Sequence, residues 1–208
     1  MTEAATRYLY LARHGEATPD ESALTAVGRR QAVLLGERLR SVPLAMIHHG
    51  PLPRAAQTAR LVAGQLDAVP LHVTAAAGDY VPYVPDRAEL PPRSADRTLG
   101  FLDRFSTAER VQGPVLAREA LARFTGPVEG REARHELVVT HTFLIGWLAR
   151  AAQDAPKWRW LSLGHGNAAL TIIRYAPGRP SALLVFNDMA HLPTELRWTG
   201  YSPEPALI

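Results

Sequence analysis

The 208-residue sequence has no cysteine, which excludes disulfides, thiolate catalysis and cysteine-ligated metals. Lysine is scarce: nearly all basic residues are arginine, scattered with no run long enough to make a nucleic-acid tract. No stretch approaches the roughly 18 consecutive apolar residues that a membrane-spanning helix needs. Met1–Arg7 lacks the apolar core of a secretory leader. These absences predict a soluble cytoplasmic protein, with neither nucleic acid nor membrane among its partners. Internal repeats and low-complexity linkers are also missing, so a single domain over residues 1–208 is expected.

What is present is globular. Hydrophobic residues make up 47% and charged residues 21%, enough to bury one sizeable core and too apolar for disorder. The net charge of +3 fits a mildly basic cleft that attracts a small anion.

Tyr8–Ala12 is a nearly all-apolar run, as expected of a buried central strand. It stops at Arg13-His14-Gly15-Glu16, a polar cluster at the strand's C-terminal end, where open α/β sheets bind ligands. Thr25 can cap a helix running to about Arg40, with Gly28, Ala32, Leu35 and Leu39 on one face. Leu44–Ile47 reads as a strand, Gly50-Pro51-Leu52-Pro53 opens a helix to about Leu66, and Leu71–Val73 reads as a short strand. Four prolines make residues 76–95 an irregular excursion. Helices are predicted over about 94–110, 115–125 and 142–152, and strands over Glu136–Thr140, Ala168–Arg174 and Ala182–Phe186, with surface coil after Pro193. Strands alternating with helices predict a three-layer α/β/α sandwich around a mostly parallel sheet.

Two strand ends present histidines, His14 and His141. Arg54 falls in the first turn of a helix, where the dipole disfavours a cation unless an anion shares the site. Two arginines and two histidines at one sheet edge suit a dianion. Phosphoryl transfer wants this set, because neutral imidazole is a good nucleophile near pH 7 and arginine steadies charge on the equatorial oxygens. A proton donor for the leaving oxygen is also needed. No metal or cofactor is expected: His48 and His49 are adjacent and point to opposite faces of a strand, while His165 and His191 lack ligand-like spacing.

Arg13-His14-Gly15-Glu16 resembles the signature of the histidine phosphatase (phosphoglycerate-mutase-like) superfamily. So do, in order, Leu24-Thr25 with Gly28 and Gln31-Ala32, Pro51–Ala55 with Gln57-Thr58-Ala59, Val138–His141, and Asn167 with the strand that follows. The resemblance implies a phosphoric monoester hydrolase in which His14 is phosphorylated and Arg13, Arg54 and His141 bind the phosphoryl oxygens. It implies a general acid at Asp79, with Glu89 as rival. Glu16, Tyr80, Thr142 and Phe143 become candidates for the substrate pocket. No acidic residue directly follows His141, unlike in the phytase-like subgroup. The Glu16–Leu24 insertion lacks the Asn and Trp pattern of the cofactor-dependent mutases, which favours hydrolysis over a phosphomutase. Residues 141–174 are most similar to the mitochondrial phosphoglycerate-mutase-like Ser/Thr phosphatase branch and its bacterial relatives. The substrate, a phosphorylated small molecule or a phosphoprotein, is left open by the sequence. So is the oligomeric state: exposed apolar residues on the last strand pair are compatible with a homodimer. A non-catalytic phosphate-binding module is disfavoured because both histidines and Arg13 are intact.

Overall fold

A computed structural model of the chain describes residues 3–199. Its strands are β1 (Ala4–Ala5), β2 (Arg7–Arg13), β3 (Leu44–His49), β4 (Leu71–Val73), β5 (Val128–Glu129), β6 (Arg134–Thr140), β7 (Leu170–Tyr175) and β8 (Ala182–Asp188). Its helices are α1 (Ala26–Leu39), α2 (Pro53–Ala63), α3 (Ala95–Leu102), α4 (Thr107–Phe124) and α5 (Thr142–Ala152). Six strands form one sheet in the order β4-β3-β6-β2-β7-β8. The first four are parallel, and β7 and β8 close the other edge antiparallel. β1 and β5 form a separate short antiparallel pair, which the sequence pattern did not signal.

The period of two in the central strands sorts side chains between two cores. Leu9, Leu11 and Val138 pack with Ala117, Ala120 and Phe124 of α4 and with Leu144, Ile145 and Leu148 of α5. Tyr10, Ala12, Leu137 and Val139 pack on the opposite face with Leu35 and Leu39 of α1 and with Ala55, Ala59 and Val62 of α2. The expected three layers follow from that split. Among the described residues, no helix is long and apolar enough to cross a membrane.

Three expectations need correction. The break between the two mid-chain helices lies at residues 103–106, not near 110–115. Ser106 caps α4 and exchanges a reciprocal capping box with Glu109, a stronger start signal than the Gly113-Pro114 pair is a stop. Pro114 is carried inside α4, and Gly113 marks a close approach: a Cβ there would lie 2.0 Å from the Val81 carbonyl oxygen. That contact draws the irregular 76–95 segment down onto α4, burying Tyr80 and Val81. The cap of α2 is Leu52, not Gly50, and the helix ends at Ala63 rather than Leu66. Finally, the chain after Pro193 is not all surface coil. It makes a 3-10 turn at Thr194–Leu196, with Leu196 buried against Met189 and Leu192. Residues 200–208 lie outside the described residues.

Candidate active site

Parallel pairing of β2 with β6 brings Arg13 opposite Thr140, so the residues that follow, His14 and His141, emerge side by side at the strands' C-terminal edge. Their ring centroids are 5.0 Å apart. The loop after β2 is clamped by α1, where a Cβ on Gly28 would sit 2.0 Å from the Glu16 carbonyl oxygen. Thr58 of α2 ties the same loop, accepting from the Gly15 N–H at 3.0 Å and donating to the Arg54 carbonyl. One hydroxyl thus fixes the nucleophile loop to the helix that carries Arg54.

His14 is buried and its Nδ1 lies 2.8 Å from the Gly15 carbonyl oxygen. A carbonyl accepts only, so Nδ1 carries the proton and Nε2 keeps its lone pair. The Arg54 Nε–H donates to that Nε2 at 3.2 Å. Burial, then His141, Arg13 and Arg54, push the His14 pKa well below the usual imidazole range, so the ring stays neutral. The pKa of His141 falls to about 3 through burial, Arg54 and Arg13. Neither His141 nitrogen has a hydrogen-bond partner among the described residues, although both are buried. Leaving such atoms unsatisfied costs about 1–3 kcal/mol, which a bound anionic oxygen would recover.

Arg54 is 5% exposed and fans its donors. Nη2 reaches Asp79 Oδ2 at 2.8 Å and Nη1 reaches Glu21 Oε2 at 3.0 Å. Arg13 is held from behind by the His165 carbonyl, 2.8 Å from its Nη1. The α2 and α5 N-termini open here, with no acidic residue in the first turn and no side-chain cap. Both dipoles therefore favour an anion in the same place as the guanidinium groups.

Asp79 stands across the cavity, its side chain 35% exposed, with Oδ2 3.4 Å from His141 Nδ1. With His141 neutral this contact is not an ion pair. Burial pushes the Asp79 pKa up, against the opposing pull of Arg54, so the carboxyl holds a proton to higher pH than a free aspartate. Glu89, the rival acid, is exposed. It accepts from the Tyr83 hydroxyl and the Asp86 N–H and does not line the cavity.

The cavity has a volume of about 510 Å³, and Tyr80, Thr142 and Phe143 line it as expected. Glu16 does not: its carboxylate accepts from the Thr25 hydroxyl at 2.7 Å, and so braces the start of α1. Four lining residues were missed by sequence reasoning: Glu21, Leu52, Phe105 and Glu109. Glu21 has a left-handed backbone, φ 59°, with no sequence signal. Phe105 and Glu109 were findable, since Ser106-x-x-Glu109 is a capping box that starts α4 at the cavity mouth.

The fold and these side chains define a class: an α/β/α domain with a two-histidine, two-arginine anion cradle at the C-terminal edge of its parallel strands. The chain belongs to the histidine phosphatase superfamily (branch 1), whose model matches residues 9–188. Among curated proteins it is similar to the mitochondrial serine/threonine-protein phosphatase Pgam5 of Caenorhabditis elegans, 29% identical over 91% of this chain. The human PGAM5 protein is 27% identical over 92% of this chain. The chain spans 65% of the length of each of these relatives. Among solved structures, Bacillus stearothermophilus YhfR is 25% identical with a TM-score of 0.63, covering 89% of this chain and 98% of its own. A mycobacterial glucosyl-3-phosphoglycerate phosphatase, solved with inorganic phosphate, shares the fold at a TM-score of 0.62 and 22% identity, covering 90% of this chain and 100% of its own.

Proposed function

We propose that this protein hydrolyses phosphomonoesters in two steps through a phosphohistidine on His14. The observation that carries the reading is the pair of imidazoles: His14 keeps an Nε2 lone pair, and His141 lines the same cavity with neither ring nitrogen hydrogen-bonded among the described residues. Arg13, Arg54 and His141 hold the phosphoryl oxygens. His14 Nε2 attacks phosphorus, the ester P–O bond breaks, and the leaving oxygen takes the proton of Asp79. Asp79, now a carboxylate, removes a proton from water as it attacks the phosphohistidine. The P–N bond breaks, its electron pair returns to Nε2, and inorganic phosphate leaves. Nucleophile, charge stabilisation and proton transfer are all supplied by side chains, so the scheme requires no metal.

The substrate reading favoured is a phosphoprotein. From the 76–95 segment, Asp79 and Tyr80 reach the cavity, while Pro82, Tyr83 and Val84 turn away into a separate groove. The segment therefore packs beside the mouth rather than over it as a lid, which leaves room for a polypeptide. The Ser/Thr-protein phosphatase relatives support the same choice. A phosphomutase needs a second acceptor pocket and a priming phosphate donor, and nothing at this mouth favours one.

The test is release of inorganic phosphate from an aryl phosphate in excess chelator, with wild type beside His14→Ala. Activity in the first and none in the second is expected. Full activity in His14→Ala, or loss of wild-type activity in chelator, overturns the mechanism.

A further inference from the structure

A second concavity of about 790 Å³ lies between α4 and α5. Arg110, Pro114, Arg118 and Leu121 line it from one stripe of α4, at the spacing that puts residues on one helix face. Trp147 and Arg150 line it from α5, and Asp154 from the turn that follows. Its floor is aromatic: the Tyr83 and Trp147 rings stack with centroids 6.1 Å apart, and Lys157 Nζ lies 5.3 Å above the Tyr83 ring. The groove and the active-site cavity share α4 and the 76–95 segment as walls. Glu109 lines the cavity and Arg110 the groove; Tyr80 lines the cavity and Pro82 the groove.

Arg150 is the informative residue. It is 9% exposed, with its guanidinium 3.9 Å from the centroid of the Trp147 ring. Its Nη1 makes only a long 3.4 Å bond to the Ala155 carbonyl, and its Nε is buried without a hydrogen-bond partner among the described residues. Asp154 and the Trp147 ring offset part of its charge, but the Nε still lacks an acceptor, which an anion in the groove would supply. Asp154 is the one carboxylate among the residues lining the groove, set against Arg110, Arg118, Arg150 and Lys157. Arg110 is already paired with Asp103 at 2.8 Å, Asp154 offsets part of the Arg150 charge, and Glu89, which accepts from the Tyr83 hydroxyl, offsets part of that of Lys157; with Arg118 the groove is left net positive.

We propose that this groove docks an acidic segment of the phosphoprotein substrate, distal to the phosphorylated residue. The proposal rests on the phosphoprotein reading above. From Arg110 to Leu121 helix α4 covers about 16 Å at 1.5 Å per residue, which an extended strand spans in about five residues. Carboxylates along that strand meet Arg118, Arg150 and Lys157, and an apolar side chain between them covers Trp147 and Tyr83. The charge excludes a basic segment, and the apolar floor explains why a peptide suits the groove better than a free inorganic anion.

The experiment uses the full chain and three measurements. Phosphopeptides sharing one phosphoserine carry either a distal acidic tail with a central leucine or the same tail with Asn and Gln. An unphosphorylated, labelled acidic tail is followed by fluorescence anisotropy, and an aryl phosphate reports the bare catalytic site. The expected result is about a tenfold higher kcat/KM for the acidic-tailed phosphopeptide, carried by KM. The advantage and the anisotropy signal vanish in Arg118→Glu/Lys157→Glu, with aryl phosphate turnover kept. These two residues are exposed, so their reversal spares folding where Arg150→Gln risks it. Equal kcat/KM for both tails overturns the proposal. So does tail binding that survives the double reversal, displacement of the tail by equimolar inorganic phosphate, or a groove occupied by a second copy of the chain, seen as a concentration-dependent dimer abolished by the double reversal. If the aryl phosphate is not hydrolysed, the catalytic reading fails instead, and anisotropy still reports the groove.

Discussion

Replacing Arg54 with lysine keeps the charge and removes the fork. The guanidinium at this position serves three directions at once: His14 Nε2 at 3.2 Å, Asp79 at 2.8 Å and Glu21 at 3.0 Å. A lysine ammonium is a point charge that cannot hold two phosphoryl oxygens in the plane the guanidinium provides. Loss of one preorganised donor to a developing charge costs about 2.7–4 kcal/mol, or 10²–10³ in rate. Arg54→Lys should therefore lower kcat/KM by about 10²–10³, and Arg54→Gln by at least as much. The pH profile gives an independent check for Arg54→Gln. Asp79 acts as an acid while protonated, so its pKa sets the basic limb of kcat/KM. Arg54 pulls that pKa down against burial; removing its charge lets the pKa rise, and the basic limb moves to higher pH. The assay is steady-state hydrolysis of an alkyl phosphate from pH 5 to 9, with Tm alongside. The reasoning is refuted if Arg54→Lys stays within about threefold of wild type, or if the basic limb in Arg54→Gln moves to lower pH.

Asp79→Asn should slow alkyl phosphate hydrolysis by about 10²–10⁴. With nitrophenyl phosphate, whose leaving group needs no proton, phosphoenzyme should accumulate, so a pre-steady-state burst of nitrophenol is expected, and its absence would argue against Asp79. Acid should destabilise the fold early: burial holds His48 at about 4 and His141 and His165 at about 3. Between about pH 6.5 and 4 only the unfolded chain protonates them, so each removes up to about 1.4 kcal/mol of stability per pH unit as pH falls. Calorimetry from pH 7.5 to 4.5 should show a steepening drop in Tm, and a flat profile contradicts it. Gly28→Ala places a Cβ against the Glu16 backbone and should cost about 1–3 kcal/mol; a Tm unchanged within error means the loop can move aside.

The fold was legible because its central strands are simple. Tyr8–Ala12 and Glu136–Thr140 are short, largely apolar runs that lead into Arg13-His14 and His141, and parallel pairing does the rest. Gly28, Ala32, Leu35 and Leu39 were readable as one face, and all four are buried. The reason for glycine was not readable: it admits the Glu16 backbone rather than the sheet. Glu16 itself looked like a pocket residue because it adjoins His14 in sequence, but the loop turns it toward Thr25. Proximity along the chain says little about direction once a turn intervenes. Glu21 reaches the cavity from a left-handed loop position with no sequence signal, and Phe105 and Glu109 reach it from the start of α4, readable as a capping box but placed at the cavity by tertiary contacts such as Gly113 against Val81. The groove beyond the mouth was hidden for the same reason, since its walls are 26 or more residues apart along α4 and α5.

The electrostatics of the site have one cause and two effects. Two guanidinium groups and two helix N-termini converge on one cavity, and the potential they make there is positive. That potential attracts a dianionic phosphate, and it also opposes protonation of any imidazole inside it. Burial is the largest contributor to the low pKa of His14, and His141, Arg13 and Arg54 push it the same way. His14, the proposed nucleophile, is thus kept unprotonated by burial first and then by groups proposed to bind its target, without a carboxylate base behind it. Its Nδ1 instead donates to a backbone carbonyl, which fixes the tautomer without supplying a full negative charge that would raise the pKa. In the proposed mechanism the proton for the leaving oxygen comes from Asp79, at the wall of the cavity where solvent still reaches the carboxyl. An acid placed as deep as His14 could not exchange its proton with water between the two steps; an acid fully exposed would titrate near its ordinary value and be ionised at neutral pH. Asp79 lies between these limits: solvent reaches it, and burial raises its pKa against the pull of Arg54.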